Sequence, residues 1–226
     1  MKVHDAASKP THTVEDYLMR MLVMERDDGE IVAARLAEQL QVAPPTVAMT
    51  LKRMERDGYV TGRGRKTLHL TEMGRQFGQA VTRRHMLLEW LLIKVFKVPL
   101  PEIHEEAHGL EHAISASLEE RMVDILGDPK VCPHGNPMPG CEDYLAKWVP
   151  LSDCEEGQDL IIHRIHESAE DDHDLLHYLI EQQILPGSRV KLTKKLPFNQ
   201  TCTIEMNGVT STLGFVTAKM VFVEKV

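Results

Sequence analysis

The chain has 226 residues, 42% of them hydrophobic, which is enough to bury more than one compact core. Its formal charge of −8 argues against nonspecific nucleic-acid binding by the whole surface, so any DNA contact has to sit on a locally basic face. No apolar run approaches the roughly 20 residues of a membrane span, and the first residues lack the apolar core of a secretory signal; a cytoplasmic protein with no membrane partner is expected. Four cysteines (Cys132, Cys141, Cys154, Cys202), none in a CxxC pair, read as free thiols in a reducing compartment.

In chain order, Val14, Tyr17, Leu18, Met21, Leu22 and Met24 recur at helical spacing over residues 13–26, with Thr13 as the expected N-cap and the acidic turn "DDGE" after it. "VAARLAEQL" predicts a short helix with Val32, Leu36 and Leu40 on one face. "QVAPPT" breaks the chain, and "TVAMTLKRMERDG" begins another helix, with Pro45 in its first turn and Gly58 just past its end. Two short helices joined by a tight turn make a helix-turn-helix, and "YVTGRGRKTLHLT" reads as a hairpin, so a winged helix is expected. Residues 44–70 carry six basic side chains (Lys52, Arg53, Arg56, Arg63, Arg65, Lys66) against Glu55 and Asp57. In such a fold the second helix enters the major groove. The candidate contacts are Arg35, Ala43, Pro45, Thr46, Met49, Thr50, Arg53, Arg63, Arg65 and Lys66. The small, apolar early positions suit thymine methyls, and the basic residues suit phosphates or the minor groove. A winged helix that binds protein instead is the alternative.

A long helix of about 25 residues is expected from a Thr71 cap, then a second helix from Pro101 to about Leu126. "GDPKVCPHGNPMPG" reads as an irregular connection. From Leu151 the texture turns to strands ("DLIIHRI", "SRVKLTKKL", "CTIEMNGVTSTLG", "AKMVFVEKV"), with a hairpin turn at Asn207-Gly208 and one helix near residues 174–183. A small, partly open β-barrel fits this pattern.

On an ideal helix His104, His108, Glu111 and His112 share a face about 100° wide. A solvated stripe would look the same. His85 and Glu89, at i and i+4 on the preceding helix, favour a divalent metal held between helices. Cys132, His134 and Cys141 lack a fourth ligand at zinc-site spacing and read as part of a structural linker. No nucleophile-elbow, phosphate-loop or dinucleotide fingerprint is present, so no enzyme is expected.

"VEDYL", "ARLAEQLQVAPPTVAMTLKRMERDGYV", "RRHMLLEWLL", "HEEAHGLEHAIS" and "HGNPMPG" stand in the order and spacing of the diphtheria toxin repressor family, the bacterial iron- and manganese-dependent regulators, which the chain resembles densely from about residue 13 to 140. The resemblance implies a mainly α fold with β. It has an N-terminal winged helix-turn-helix (residues 1–72), a helical dimerisation and metal-binding domain (73–150) and a C-terminal SH3-like, FeoA-like small β-barrel (151–226). It implies a primary metal site at Asp16, His108, Glu111 and His112. An ancillary site would use His85, Glu89 and His104, completed from "EDDHD" by Asp172, then His173.

Asp16 stands where the iron regulators of that family have methionine and the manganese regulators aspartate. The absence of sulfur hardens the primary site toward Mn(II), although nitrogen-rich sites still bind Fe(II), Co(II), Ni(II) and Zn(II) in vitro. His108, with one lone pair, cannot bridge two ions, and Met19 replaces a carboxylate. Two separated mononuclear sites are therefore expected. Together these features predict a homodimeric, Mn(II)-activated repressor of metal-uptake genes that binds palindromic double-stranded DNA. The alternatives are an Fe(II)-dependent regulator of iron homeostasis and a constitutive winged-helix DNA-binding protein with structural metal.

Overall fold

A computed structural model describes residues 9–62 and 67–226, and the chain forms two compact units, Met1–Arg84 and His85–Val226. Arg63, Arg65 and Lys66, three of the expected DNA contacts, lie outside the described residues.

In the first unit α1 (His12–Asp28) begins two residues earlier than expected. Thr11, in extended conformation, supplies the carbonyl that accepts from the amides of Val14 and Glu15 at 2.8 and 2.9 Å. Thr13 therefore lies inside the first turn and is not the cap. Gly29 ends the helix in the left-handed region, as a residue without Cβ does most cheaply. α2 (Ala33–Gln39) and α3 (Pro44–Arg56) form the helix-turn-helix; Pro44 and Pro45 occupy the first turn of α3, where no amide hydrogen is needed. Val47, Leu51 and Met54 of α3 pack with Leu36, Tyr17, Leu18 and Met21 in one buried cluster.

Two short antiparallel strands, β1 (Val60–Thr61) and β2 (His69–Leu70), follow in register Val60↔Leu70, and an isolated Ile31↔Leu68 bridge extends the pairing. α4 (Glu72–Leu91) starts where the sequence places it: the Thr71 hydroxyl oxygen accepts from the Gly74 amide at 3.0 Å and its proton goes to the Gly58 carbonyl at 2.7 Å. At Gly74 a Cβ would collide with the Tyr59 carbonyl, so only glycine lets the helix lie this close to the hairpin. A buried ion pair, Arg84 Nη2 to Glu15 Oε1 at 2.9 Å, ties α4 to α1.

The second unit takes up α4 at His85. A π-helical turn, Leu92–Phe96, completes the expected long helix. α5 (Ile103–Leu110) and α6 (Ala116–Leu126) replace the single helix expected over 101–126. A tight 3-10 turn at Glu111–Ala113 and an extended Ile114 separate them. Ser115 accepts from the Leu118 amide at 3.3 Å, and its hydroxyl offers the chain a new helix start that competes with continuing the old one.

The irregular connection over 127–148 is buried in part, with Cys132, His134, Asn136 and Met138 almost wholly inside. Its anchor is β4 (Asp159–Ile165). The Ile165 amide donates to the His134 carbonyl at 2.8 Å, and Asn136 Nδ2 donates to the Ile165 carbonyl at 2.9 Å.

The remaining elements are β3 (Val149–Pro150), α7 (Glu167–Glu170), α8 (His173–Glu181), β5 (Arg189–Leu196), β6 (Thr201–Met206), β7 (Val209–Gly214), α9 (Phe215–Ala218) and β8 (Val221–Lys225). Together with β4 the strands make a six-stranded antiparallel sheet in the order β3-β8-β4-β5-β6-β7, around a core of Leu160, Ile162, Leu192, Ile204 and Val223. Asn207 and Gly208, both at positive φ (51° and 81°), make the two-residue turn between β6 and β7, as their sequence predicts.

Candidate metal centre and DNA-facing helix

The amphipathic pattern of α3 decides which of its residues can meet a partner. Ala43, at the N-cap, and Pro45, Thr46, Met49 and Arg53 are exposed, Met49 at 75%. Thr50 falls in the inward row with Val47, Leu51 and Met54 and is largely buried, at the edge of a groove it lines with Thr46, Met49 and Arg53. Arg35 is half-exposed, its guanidinium 2.8 Å from Asp28 Oδ2.

Asp16 lies on α1, in the first unit. In the second unit the other three expected primary ligands converge: Glu111 Oε1 is 3.1 Å from His108 Nδ1 and 3.5 Å from His112 Nε2. The 3-10 turn, rather than a continuous α-helical face, carries Glu111 and His112.

Glu111 also faces the other way. Its Oε2 is 2.6 Å from His85 Nδ1, so if that nitrogen carries the hydrogen, Nε2 is left as a lone pair. The His85 Nε2 points at Glu89 Oε1 (3.3 Å) and His104 Nδ1 (3.1 Å). His85, Glu89 and His104 thus come together as the sequence expects, with ligand atoms all within 4.8 Å of one another. Asp172 and His173 do not complete this group. Asp172 caps α8 by accepting from the Leu175 amide at 3.1 Å, and His173 packs its ring on His177 at 4.3 Å. The acidic run supplies their neighbours instead: Glu170 Oε2 is 3.0 Å from His104 Nδ1, and Asp171 Oδ1 is 3.4 Å from His104 Nε2.

Two further donors come from the connection read as a linker. His134 Nδ1 lies 3.4 Å from both Glu89 Oε1 and Glu170 Oε2, and Cys132 forms a second mutual group with Glu89 and His134. A cysteine and a histidine two residues apart were the visible signal. What the sequence hid was that Glu89, far away in the chain, lies within 4.8 Å of both.

Burial works against every charge here, yet the hydrogen-bonded network overrides it. The hydrogen bond to Glu111 and the nearby Glu89 carboxylate raise His85 to about 9, and hydrogen bonds from His108 and His85 pull Glu111 down to about 2. Glu89 is held well below the usual carboxylate range by His134, His104 and His85. His104 and His134 are raised by their carboxylate neighbours. Burial and the nearby Glu89 and Glu170 push the Cys132 thiol well up. Protonated imidazoles thus balance the carboxylates where a cation would otherwise do so.

The donor set fits a divalent metal. Both Glu89 oxygens and both His134 ring nitrogens are buried without a hydrogen bond, an expensive arrangement unless the atoms serve as ligands.

Comparison with known proteins places these features in one lineage. Residues 9–68 match the iron dependent repressor N-terminal DNA binding domain, residues 71–140 the iron dependent repressor metal binding and dimerisation domain, and residues 149–225 the FeoA domain. The iron-dependent repressor IdeR of Mycobacterium leprae is 36% identical over 189 residues, covering 79% of this chain and 82% of that one. The diphtheria toxin repressor of Corynebacterium diphtheriae is 38% identical over 131 residues, 58% of each chain. Among solved structures, a manganese-dependent transcriptional repressor in complex with manganese superposes with a TM-score of 0.83 at 27% identity, covering 94% of this chain and all of the other. The chain belongs to the diphtheria toxin repressor family and is a metal-dependent, DNA-binding transcriptional repressor, not an enzyme.

Proposed function

We propose that the chain is a homodimeric, Mn(II)-activated repressor of metal-uptake genes that binds a palindromic operator. The observation that carries the choice of metal is the donor chemistry assigned to the primary site. Asp16 and Glu111 offer oxygen, His108 and His112 nitrogen, and no sulfur is among them. Such a set favours a harder ion than a thioether and thiolate pair would. His85, Glu89 and His104, joined by Glu170 in place of Asp172 or His173, make the ancillary site.

Bound metal would supply the positive charge that protonated imidazoles provide in its absence. The chain's own residues do the rest. Asp16 is carried by the reading head and His108, Glu111 and His112 by the dimerisation helices, so ordering the two together sets the separation of the recognition helices. A dimer must present these about one DNA turn apart, or a multiple of it, and only differential affinity for that arrangement shifts the equilibrium toward it.

Fe(II) is the second reading, favoured by the relatives named as iron-dependent repressors. Selection of sites from random duplex DNA, run anaerobically with Mn(II), Fe(II) or chelator, tests both. A palindrome enriched at lower Mn(II) than Fe(II) supports the first reading, and the reverse order supports the second. Equal enrichment in chelator overturns metal activation. Asp16→Ala should fold and dimerise yet give no metal-dependent enrichment.

A further inference from the structure

The chain has 12 methionines, and the fold treats one of them differently from the rest. Met21, Met24, Met54, Met86, Met122 and Met138 are buried, and Met19, Met73, Met206 and Met220 are half-buried. Among the described residues Met49 is the only exposed one, at 75%. It stands on the outward row of α3, with Thr46 one turn before it and Arg53 one turn after, and Lys52 lines the same groove. Met54, in the same helix, faces inward and is fully covered.

At that position a thioether combines two properties. It is an apolar, polarisable contact for a methyl group on a base edge, and it is open to oxidation by peroxides. We infer that Met49 is a reversible oxidation site through which hydrogen peroxide lowers the affinity of the chain for DNA. The inference rests on the reading of α3 as the helix that faces the duplex.

The reaction needs nothing from the protein except the side chain. A sulfur lone pair attacks one peroxide oxygen, the O–O bond breaks, and the second oxygen leaves as water. Sulfur is oxidised by two electrons to the sulfoxide while the peroxide is reduced. Exposure selects Met49 among the methionines. The thiols of Cys132, Cys154 and Cys202 compete poorly, because all three are buried and burial pushes each of them up, whereas the thiolate is the reactive form. Cys141, half-buried, is the remaining thiol.

The product no longer suits its place. A sulfoxide puts a strong hydrogen-bond acceptor where the apolar end of the side chain was, and against a thymine methyl that oxygen loses water and gains no donor. Arg53, at i+4, offers it a guanidinium, and a guanidinium drawn to the sulfoxide is drawn away from phosphate. Both effects weaken binding, together by about tenfold. A duplex lying on α3 covers the sulfur, so oxidation falls on the unbound protein. Methionine sulfoxide reductases are the class of enzyme that returns the thioether.

The test uses full-length protein treated with chelator, exposed to hydrogen peroxide, quenched with catalase and free methionine, and then given Mn(II). Peptide mass spectrometry should find Met49 oxidised ahead of the half-buried methionines and Met54 unchanged. Fluorescence anisotropy on the duplex enriched by untreated protein should show affinity about tenfold weaker, restored by methionine sulfoxide reductases of both stereochemical specificities. Met49→Leu, compared with its own untreated sample, should not respond to peroxide. Protein oxidised while on the duplex should keep Met49 reduced, a readout that needs no variant. Fully oxidised Met49 with unchanged affinity overturns the inference, as does an equal peroxide response in Met49→Leu. Oxidation of Met49 as fast on the duplex as off it overturns the reading of α3 and the inference with it. The metal requirement is judged separately, from untreated protein with Mn(II) and with chelator, and each peroxide comparison is made under whichever condition binds.

Discussion

Glu111 is the residue on which most of the metal-binding geometry turns. One oxygen meets His108 and His112 and the other meets His85, so a single carboxylate touches both expected ligand sets. Its pairing with His85 gives the metal-free protein a defined pH response. His85 is raised from 6.5 to about 9, so its stabilisation is complete below about 6.5 and is lost as pH climbs through about 9. Glu111 is lowered from 4.5 to about 2, so its part is complete above 4.5 and is lost as pH falls through about 2. Urea midpoints of chelator-treated protein should therefore be highest between about 4.5 and 6.5 and decline on both sides. In Glu111→Gln the plateau should drop by about 2 kcal/mol, the scale of a hydrogen bond to a charged group, and the alkaline decline should weaken. An unchanged alkaline limb in that variant would show that other groups set it.

The residue types were legible from spacing, but which atoms meet was not. His85, Glu89 and His104 come together as their i,i+4 pattern suggests, because helices translate sequence spacing into faces. Glu170, Asp171, Cys132 and His134 sit in loops or at element ends, where no periodicity connects position to direction. The acidic run contains Glu170 and Asp171, which reach His104, while helix capping holds Asp172 away from the cluster.

At the scale of elements, local signals decided almost every boundary. The Thr71 cap, the prolines opening α3 and the Asn207-Gly208 turn are each recognisable from side-chain chemistry alone. The two missed boundaries have the same cause. Thr11 rather than Thr13, and a restart at Ser115 within an apparently continuous helix, depend on which of several nearby polar residues wins the cap. Tertiary approach was invisible until strands and helices were placed. Gly74 illustrates it, since nothing in "TEMGRQF" announces that the Tyr59 carbonyl lies against it. Gly74→Ala should cost about 1–3 kcal/mol as α4 is pushed off the hairpin, despite the higher helix propensity of alanine. Thermal unfolding would check this, and a rise in midpoint would mean that the hairpin yields freely.

For the whole molecule, the net charge of −8 makes the recognition surface an exception to its surroundings. Arg53 is exposed on α3 beside Met49, and a phosphate contact there is independent of base sequence. Arg53→Ala should weaken binding to specific and nonspecific duplexes alike. The logarithmic salt slope should become shallower by about 1, measured by fluorescence anisotropy across salt concentrations. Loss confined to one base position, with the slope intact, would assign Arg53 to base reading instead.

The anchoring of residues 132–136 on β4 sets the order in which a newly made chain can become complete. The buried core of the first unit, from Val14 to Leu70, is drawn wholly from residues made before Arg84, and a winged helix is able to fold at that stage. The donor cluster has no such independence. His134 is fixed through Ile165, Glu170 follows β4, and β4 pairs on one side with β8, residues Val221–Lys225. A partly synthesised chain thus carries a finished reading head for the whole time that this donor cluster is unassembled. That cluster is complete only with the last strand of the sheet, and a chain cut short before it would keep its reading head yet lose the group gathered around Glu89.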